Sequence, residues 1–122
     1  MSEIQVAWAA GILEGEGCFS IFHRKTAKWN HKTVAIHCEM ADEDVIRKLQ
    51  SVFDVGTVLI RENNKTRADT RPRKKTWIWS VQNHAGIKKV CEAVLPHMCE
   101  RRTSKIKELL EYVESKTCMV NP

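Results

Sequence analysis

At 122 residues the chain is long enough for one hydrophobic core and too short for two ordinary domains. No apolar run approaches the roughly 20 residues of a bilayer-crossing helix, and no membrane partner is expected. The net charge of +5 points instead to an anionic partner.

Residues 5–16 form the first predicted helix, in which Ala7, Gly11 and Gly15 recur every four positions. Nothing on that stripe protrudes beyond a methyl group, so a second backbone can approach it closely. Each interior glycine costs about 1 kcal/mol relative to alanine, so two in one short helix require a compensating contact. Glu16 falls in the last turn, where the helix dipole and unpaired carbonyls favour positive charge, and a bound cation would resolve the conflict. Gly17 is expected to end the helix in the left-handed conformation.

Residues 18–25 alternate, with Phe19, Ile21 and His23 on one face, and residues 33–40 repeat the pattern with Val34, Ile36, Cys38 and Met40. A polar turn over 28–31 makes the two strands a hairpin. Asp42 is placed to cap a helix carrying Val45, Ile46, Leu49, Val52 and Phe53, with Gly56 just beyond its end. A third strand runs over 57–61. Between Arg61 and Lys75 seven basic residues face only two acids, so this segment carries the whole net charge, the footprint of a nucleic-acid contact or of a solvated loop. The fourth strand alternates Trp77, Trp79 and Val81 with Ile78, Ser80 and Gln82. Its tryptophan side is expected in the core, base stacking being the functional alternative. A helix over 85–95 presents Ile87, Val90, Cys91 and Val94 before Pro96 stops it, and a last helix covers 104–115. The order αββαββαα is an α+β single domain over 1–122, an antiparallel four-stranded sheet with helices on one face.

The run Ala9-Ala10-Gly11-Ile12-Leu13-Glu14-Gly15-Glu16-Gly17 resembles the signature helix of the LAGLIDADG homing endonucleases. The leading Leu of the pattern is Ala9, and both acids are Glu where Asp is common. Further agreement comes from Met40-Ala41-Asp42, from Asp54-Val55-Gly56-Thr57-Val58 and from Leu95-Pro96-His97-Met98, so the resemblance spans nearly the whole chain. One copy of the motif is present, so if two such helices must pair, they come from two chains. The resemblance therefore implies a saddle-shaped homodimer, with Ala7, Ala10, Gly11 and Gly15 at the interface and Glu14 there or as a capping residue, and a near-palindromic double-stranded DNA target.

The resemblance also implies that Glu16, with Gly15 beside it, binds a divalent metal of the Mg²⁺ kind, and that each chain helps cut one strand. Arg101 stands where the family often places a Lys, and Arg102 follows; both are expected to act electrostatically, since arginine is no general base at neutral pH. On the second strand the family's polar active-site residue has no clear counterpart, since Cys38 and Met40 are poor substitutes and His37 and Glu39 lie beside them. The sheet face turned away from the helices carries Ser20, Phe22 and Arg24, then Ala35, His37 and Glu39, then Thr57, Leu59 and Arg61, then Thr76, Ile78 and Ser80. The resemblance assigns this face to the major groove, with Arg24 and Arg61 for guanine and Arg71, Arg73, Lys74 and Lys75 for phosphates. Phe22, Leu59 and Ile78 suit thymine methyl groups or are plain surface residues.

Five cysteines without a CxxC pair, and no apolar signal segment ahead of the first helix, point to reduced thiols in an intracellular protein: the cytoplasm of a bacterial or phage-infected host, or an organelle. Zinc at His97 and Cys99, or at His37 and Cys38, is poorly spaced. A nuclease of the HNH type on Asn30-His31 or Asn83-His84 lacks its ligand constellation. The competing reading from another class is a non-cleaving nucleic-acid binder on the same scaffold, such as an intron RNA maturase or a DNA-binding regulator.

Overall fold

The computed structural model describes residues 2–25, 27, 30–62 and 75–120, with the backbone alone for 24, 25, 30, 31 and 117–120. Helix α1 (Glu3–Glu16) leads into strands β1 (Gly17–Lys25) and β2 (Asn30–Met40). Helix α2 (Glu43–Phe53) leads into β3 (Thr57–Glu62) and β4 (Lys75–Val81), and α3 (His84–Val94) and α4 (Glu100–Val120) complete the chain, joined by a 3₁₀ turn at Leu95–His97. The expected order αββαββαα is therefore observed. The sheet is antiparallel with strand order β1-β2-β4-β3, so two αββ units meet through their second strands.

Between the sheet and the helices lies one core. Trp79 is its centre: fully buried, stacked on Phe53 with ring centroids 5.7 Å apart, its indole N–H donating to the Val55 carbonyl at 2.9 Å. That settles the tryptophan face as packing. Leu13, Ile36, Ile46, Leu49, Ile87, Val90, Ile106 and Leu109 surround it without exposure. Gly56 takes φ +85°, and a Cβ there would lie 2.7 Å from the Trp79 indole nitrogen, so the turn after α2 needs glycine for both conformation and space.

Several boundaries differ from the periodicity. Strand β2 begins at Asn30 rather than 33, and α4 begins at Glu100 and runs to Val120, longer at both ends than its apolar repeat. Asp42 occupies the N-cap position of α2 without a side-chain capping bond, and the left-handed residue that closes α2 is Asp54.

The expectation for Gly17 is corrected. It is extended, with φ −79° and ψ 157°, because α1 passes straight into β1 with no reversing turn between them. Glycine is required there by space: a Cβ would sit 2.6 Å from the Leu13 carbonyl oxygen and 2.9 Å from the Leu13 Cα, both backbone atoms of the last helical turn. Gly17→Ala is expected to destabilise the fold by about 1–3 kcal/mol, read as a lower denaturation midpoint at unchanged slope.

Candidate nucleic-acid interface and active site

The direct passage from α1 into β1 places the two motif acids at the edge of the sheet, where they take different surroundings. Glu14 turns inward toward the start of α4. Its carboxylate accepts the Cys99 backbone N–H at 2.7 Å, and Arg102 Nε lies 3.5 Å from its other oxygen. Cys99 is the residue on which α4 starts, its carbonyl accepting from the Thr103 N–H at 2.9 Å. Glu14 thus supplies an acceptor to a helix N-terminus that would otherwise leave an orphan donor. The Cys99 thiol and backbone N–H, with Arg102 and Arg101 behind them, hold the Glu14 carboxyl below its ordinary pKa, and the same contact raises the Cys99 thiol.

Glu16 is exposed, and among the described residues no side-chain cation pairs with it. It stands at the negative end of α1, where the last carbonyls, that of Gly15 included, lack intrahelical partners. Gly17 pairs with Cys38 across β1 and β2, and the Cys38 side chain is fully buried on the helix side of the sheet. Burial, and then the Glu16 charge, pushes that thiol up to about 11. It therefore stays protonated at neutral pH and offers a cation no soft ligand. The Glu16 carboxylate and the last carbonyls of α1 offer oxygen, which suits a hard cation of the Mg²⁺ kind. Among the described residues no three His, Cys, Asp or Glu side chains cluster so as to hold a metal ion.

On the opposite sheet face a link spans three strands. Glu39 of β2 accepts the Thr76 hydroxyl of β4 at 2.5 Å and lies 3.4 Å from the Arg61 guanidinium of β3. Phe22 and Leu59, each 57% exposed, stand on the same face. This sheet face thus presents exposed apolar, hydroxyl and charged groups together.

Residues 9–115 match the LAGLIDADG endonuclease family, from within α1 to the last turns of α4 that bear core residues. The chain belongs to that family. Its fold is shared by the homing endonuclease I-CvuI in complex with its target, at a TM-score of 0.71 and 16% identity over 92% of this chain and 67% of that one. I-GzeII, a LAGLIDADG homing endonuclease in complex with its DNA target, gives a TM-score of 0.73 at 10% identity over 93% of this chain and 36% of its own. The archaeal intron-encoded homing endonuclease I-Vdi141I, complexed with DNA, gives 0.70 at 13% identity over 94% and 70%. No curated protein matches the chain.

Within the LAGLIDADG frame, some expected site residues come together and others separate. Ala7, Gly11 and Gly15 line an exposed stripe of α1. Ala10 does not: at 1% exposure it belongs to the protomer's own core with Val6, Ala9 and Leu13, and it is withdrawn from the interface. Glu14 and Arg102 spend their charges on each other, which ties α4 to α1, while Arg101, one residue earlier, is exposed and forms no ion pair among the described residues. Ser80 is 8% exposed, paired with His37 on one side and Thr57 on the other, and lies too deep to read a base. His37, Glu39, Thr57, Leu59 and Arg61 keep exposure on the groove face, as do Ser20, Thr76 and Ile78 in part. Lys75 is exposed and lies 3.9 Å from Glu62. Arg71, Arg73 and Lys74 lie outside the described residues, and so does the side chain of Arg24.

Sequence reasoning missed Cys99 as the partner of Glu14 and Thr76 as a partner of Glu39, contacts across 85 and 37 residues that no local pattern signals. The thiols give a direct check. Cys18 and Cys99 are exposed; Cys38 and Cys91 are buried, with Cys91 pushed up to about 12 by burial and then by Glu92. Because only the thiolate reacts, a raised pKa slows alkylation at neutral pH. Peptide-mapped alkylation is expected to label Cys18 first and Cys99 behind it, with Cys38 and Cys91 labelled only on unfolding. Labelling of Cys38 at the Cys18 rate would contradict this packing.

Proposed function

We propose that the chain is a homodimeric homing endonuclease that cuts both strands of a long, near-palindromic DNA site with a divalent cation of the Mg²⁺ kind. One observation carries the reading: α1 is apolar on two sides but covered on one. Val6, Ala9, Ala10 and Leu13 fill the core, while Ile4, at 83% exposure, and the Ala7, Gly11, Gly15 stripe face outward and end at Glu16, which has no cationic partner among the described residues. A helix apolar all round requires a second cover. A second copy of α1 provides it and brings two Glu16 carboxylates together.

Glu16 and its copy would hold the cation with phosphate oxygens from the duplex, and the cation, when bound, would supply charge neutralisation at the scissile phosphates. The protein's own residues do the rest. The four strands hold the duplex through base edges, with Arg61 presented to guanine and Phe22 and Leu59 to thymine methyl groups. Arg101 lends positive charge as negative charge grows on the phosphate oxygens. Glu14 fixes Arg101 relative to Glu16 by tying α1 to α4.

The non-cleaving reading, a maturase or regulator binding intron RNA or DNA, draws on one observation: at the β2 position beside the motif, Cys38 is buried and protonated and contributes no polar group to the site. Selection of cleaved molecules from a randomised duplex library, with and without Mg²⁺, decides between the two. Recovery of a palindromic, Mg²⁺-dependent site with staggered ends supports the nuclease. Enrichment of bound but uncut duplexes, equal in both arms, sinks it.

A further inference from the structure

Strand β2 outruns its neighbour: residues 36–40 pair with β4, whereas 30–35 pair with β1 alone. Beyond the end of β4 this leaves a notch of about 530 Å³ where the groove face meets the helix layer. Its walls bring together Lys32 of β2, Lys116 of α4, His84 of α3 and His37 of the groove face. Thr33 and Gln82 add a hydroxyl and an amide, and among the described residues no carboxylate lines it. Tyr112 is the pillar of the arrangement. Its hydroxyl donates to the Lys32 carbonyl at 2.9 Å, its ring meets that of His84 edge-on at 5.8 Å, and Lys116 Nζ lies 5.8 Å from the ring centroid.

We propose that this notch receives a backbone phosphate of the bound duplex, so that the nucleic-acid surface continues past the sheet face and around the exposed edge of β2. The inference rests on the DNA-binding reading and extends it to residues that the groove does not include. Two lysines with no acid among them supply the positive charge that a phosphodiester calls for, and Thr33 and Gln82 can donate to its oxygens. His37 lines both the notch and the groove, so a strand lying in one passes the other. Distance agrees: Phe22, on the rim, is five residues along β1 from Gly17, or about 17 Å at the rise of a strand. At 3.4 Å per nucleotide step that is about five base pairs along the duplex from the Glu16 end of the strand.

The test is the salt dependence of binding by the whole protein to a duplex of fixed, arbitrary sequence, without divalent metal so that nothing is cut. Wild type is compared with Lys32→Ala, Lys116→Ala, the double variant, the charge-preserving Lys32→Arg/Lys116→Arg pair, and Lys88→Ala on the exposed side of α3 as a control. The proposed dimer carries two notches, each taking one phosphate, so the double variant should lower the slope of log K against log salt by about 2 and each single alanine by about 1, with about tenfold weaker binding at low salt for the double variant. The arginine pair and the control should keep the wild-type slope. In parallel, inorganic phosphate is titrated while the ring signals of Tyr112 and His84 are followed by NMR. An unchanged slope in the double variant overturns the proposal; if millimolar phosphate then still moves those signals, the notch serves a free anion instead. A wild type with no salt-dependent binding would sink the DNA reading itself, an outcome visible before any variant is compared.

Discussion

Glu16→Gln is expected to bind the selected duplex as tightly as wild type and to cut it roughly 10²–10³-fold more slowly or not at all, the scale on which losing one charge-stabilising group acts. The change is nearly isosteric and exposed, so the fold has no reason to notice it. What it removes is a negative charge at the end of α1 with no cationic partner among the described residues. In a homodimer one substitution removes both copies at once. Single-turnover cleavage in Mg²⁺, beside binding in Ca²⁺, separates the two effects, and a wild-type cutting rate would reject Glu16 as the metal ligand. Glu14→Gln is the informative contrast. The amide oxygen can still accept from the Cys99 N–H while the ion pair with Arg102 is lost, so cutting should fall far less.

Gly11→Leu is expected to leave a folded protomer and no active dimer. A Cβ at Gly11 or at Gly15 meets nothing within 4 Å inside the chain, so the monomer has room for a side chain at either position. Replacing glycine in a helix interior even favours the helix, by about 1 kcal/mol for alanine. A closely packed partner helix has no such room. Circular dichroism and thermal unfolding should match wild type, while sedimentation shifts from dimer to monomer and cutting disappears with it. Gly11→Ala should give an intermediate association. A Gly11→Leu protein that stays dimeric and cuts normally would show that the stripe faces solvent, and would remove the structural basis for pairing two Glu16 residues.

Where a local repeat decides an element, the sequence was a good guide. The period of α2 and the inward side of β4, Trp79 and Val81, are each written within about ten residues, and each appears as expected. What the repeat could not carry is anything set by distant partners. The first turn of α4 has no core residue, so its start is fixed by Glu14 on the Cys99 N–H. Ala10 and Ala7 are the same residue type on the same helix, and only the position of the core separates the buried one from the open one. Gly17 was assigned the common reason for glycine at a helix end, whereas the actual one is the proximity of the Leu13 backbone. Ser80 shows the same limit on the groove face, since cross-strand neighbours buried a side chain that alternation alone places outside.

The link from Arg61 through Glu39 to Thr76 also bears on how target preference can change. Three strands share one carboxylate, so a substitution at position 39 releases two neighbours together. Arg61 would gain freedom to seek another acceptor, and the Thr76 hydroxyl would rotate toward a new one. Preferences at the adjoining base pairs would then move as a block. A lineage drifting toward a new site would cross this part of the groove in one correlated step, and variation at 39, 61 and 76 would be inherited as a set.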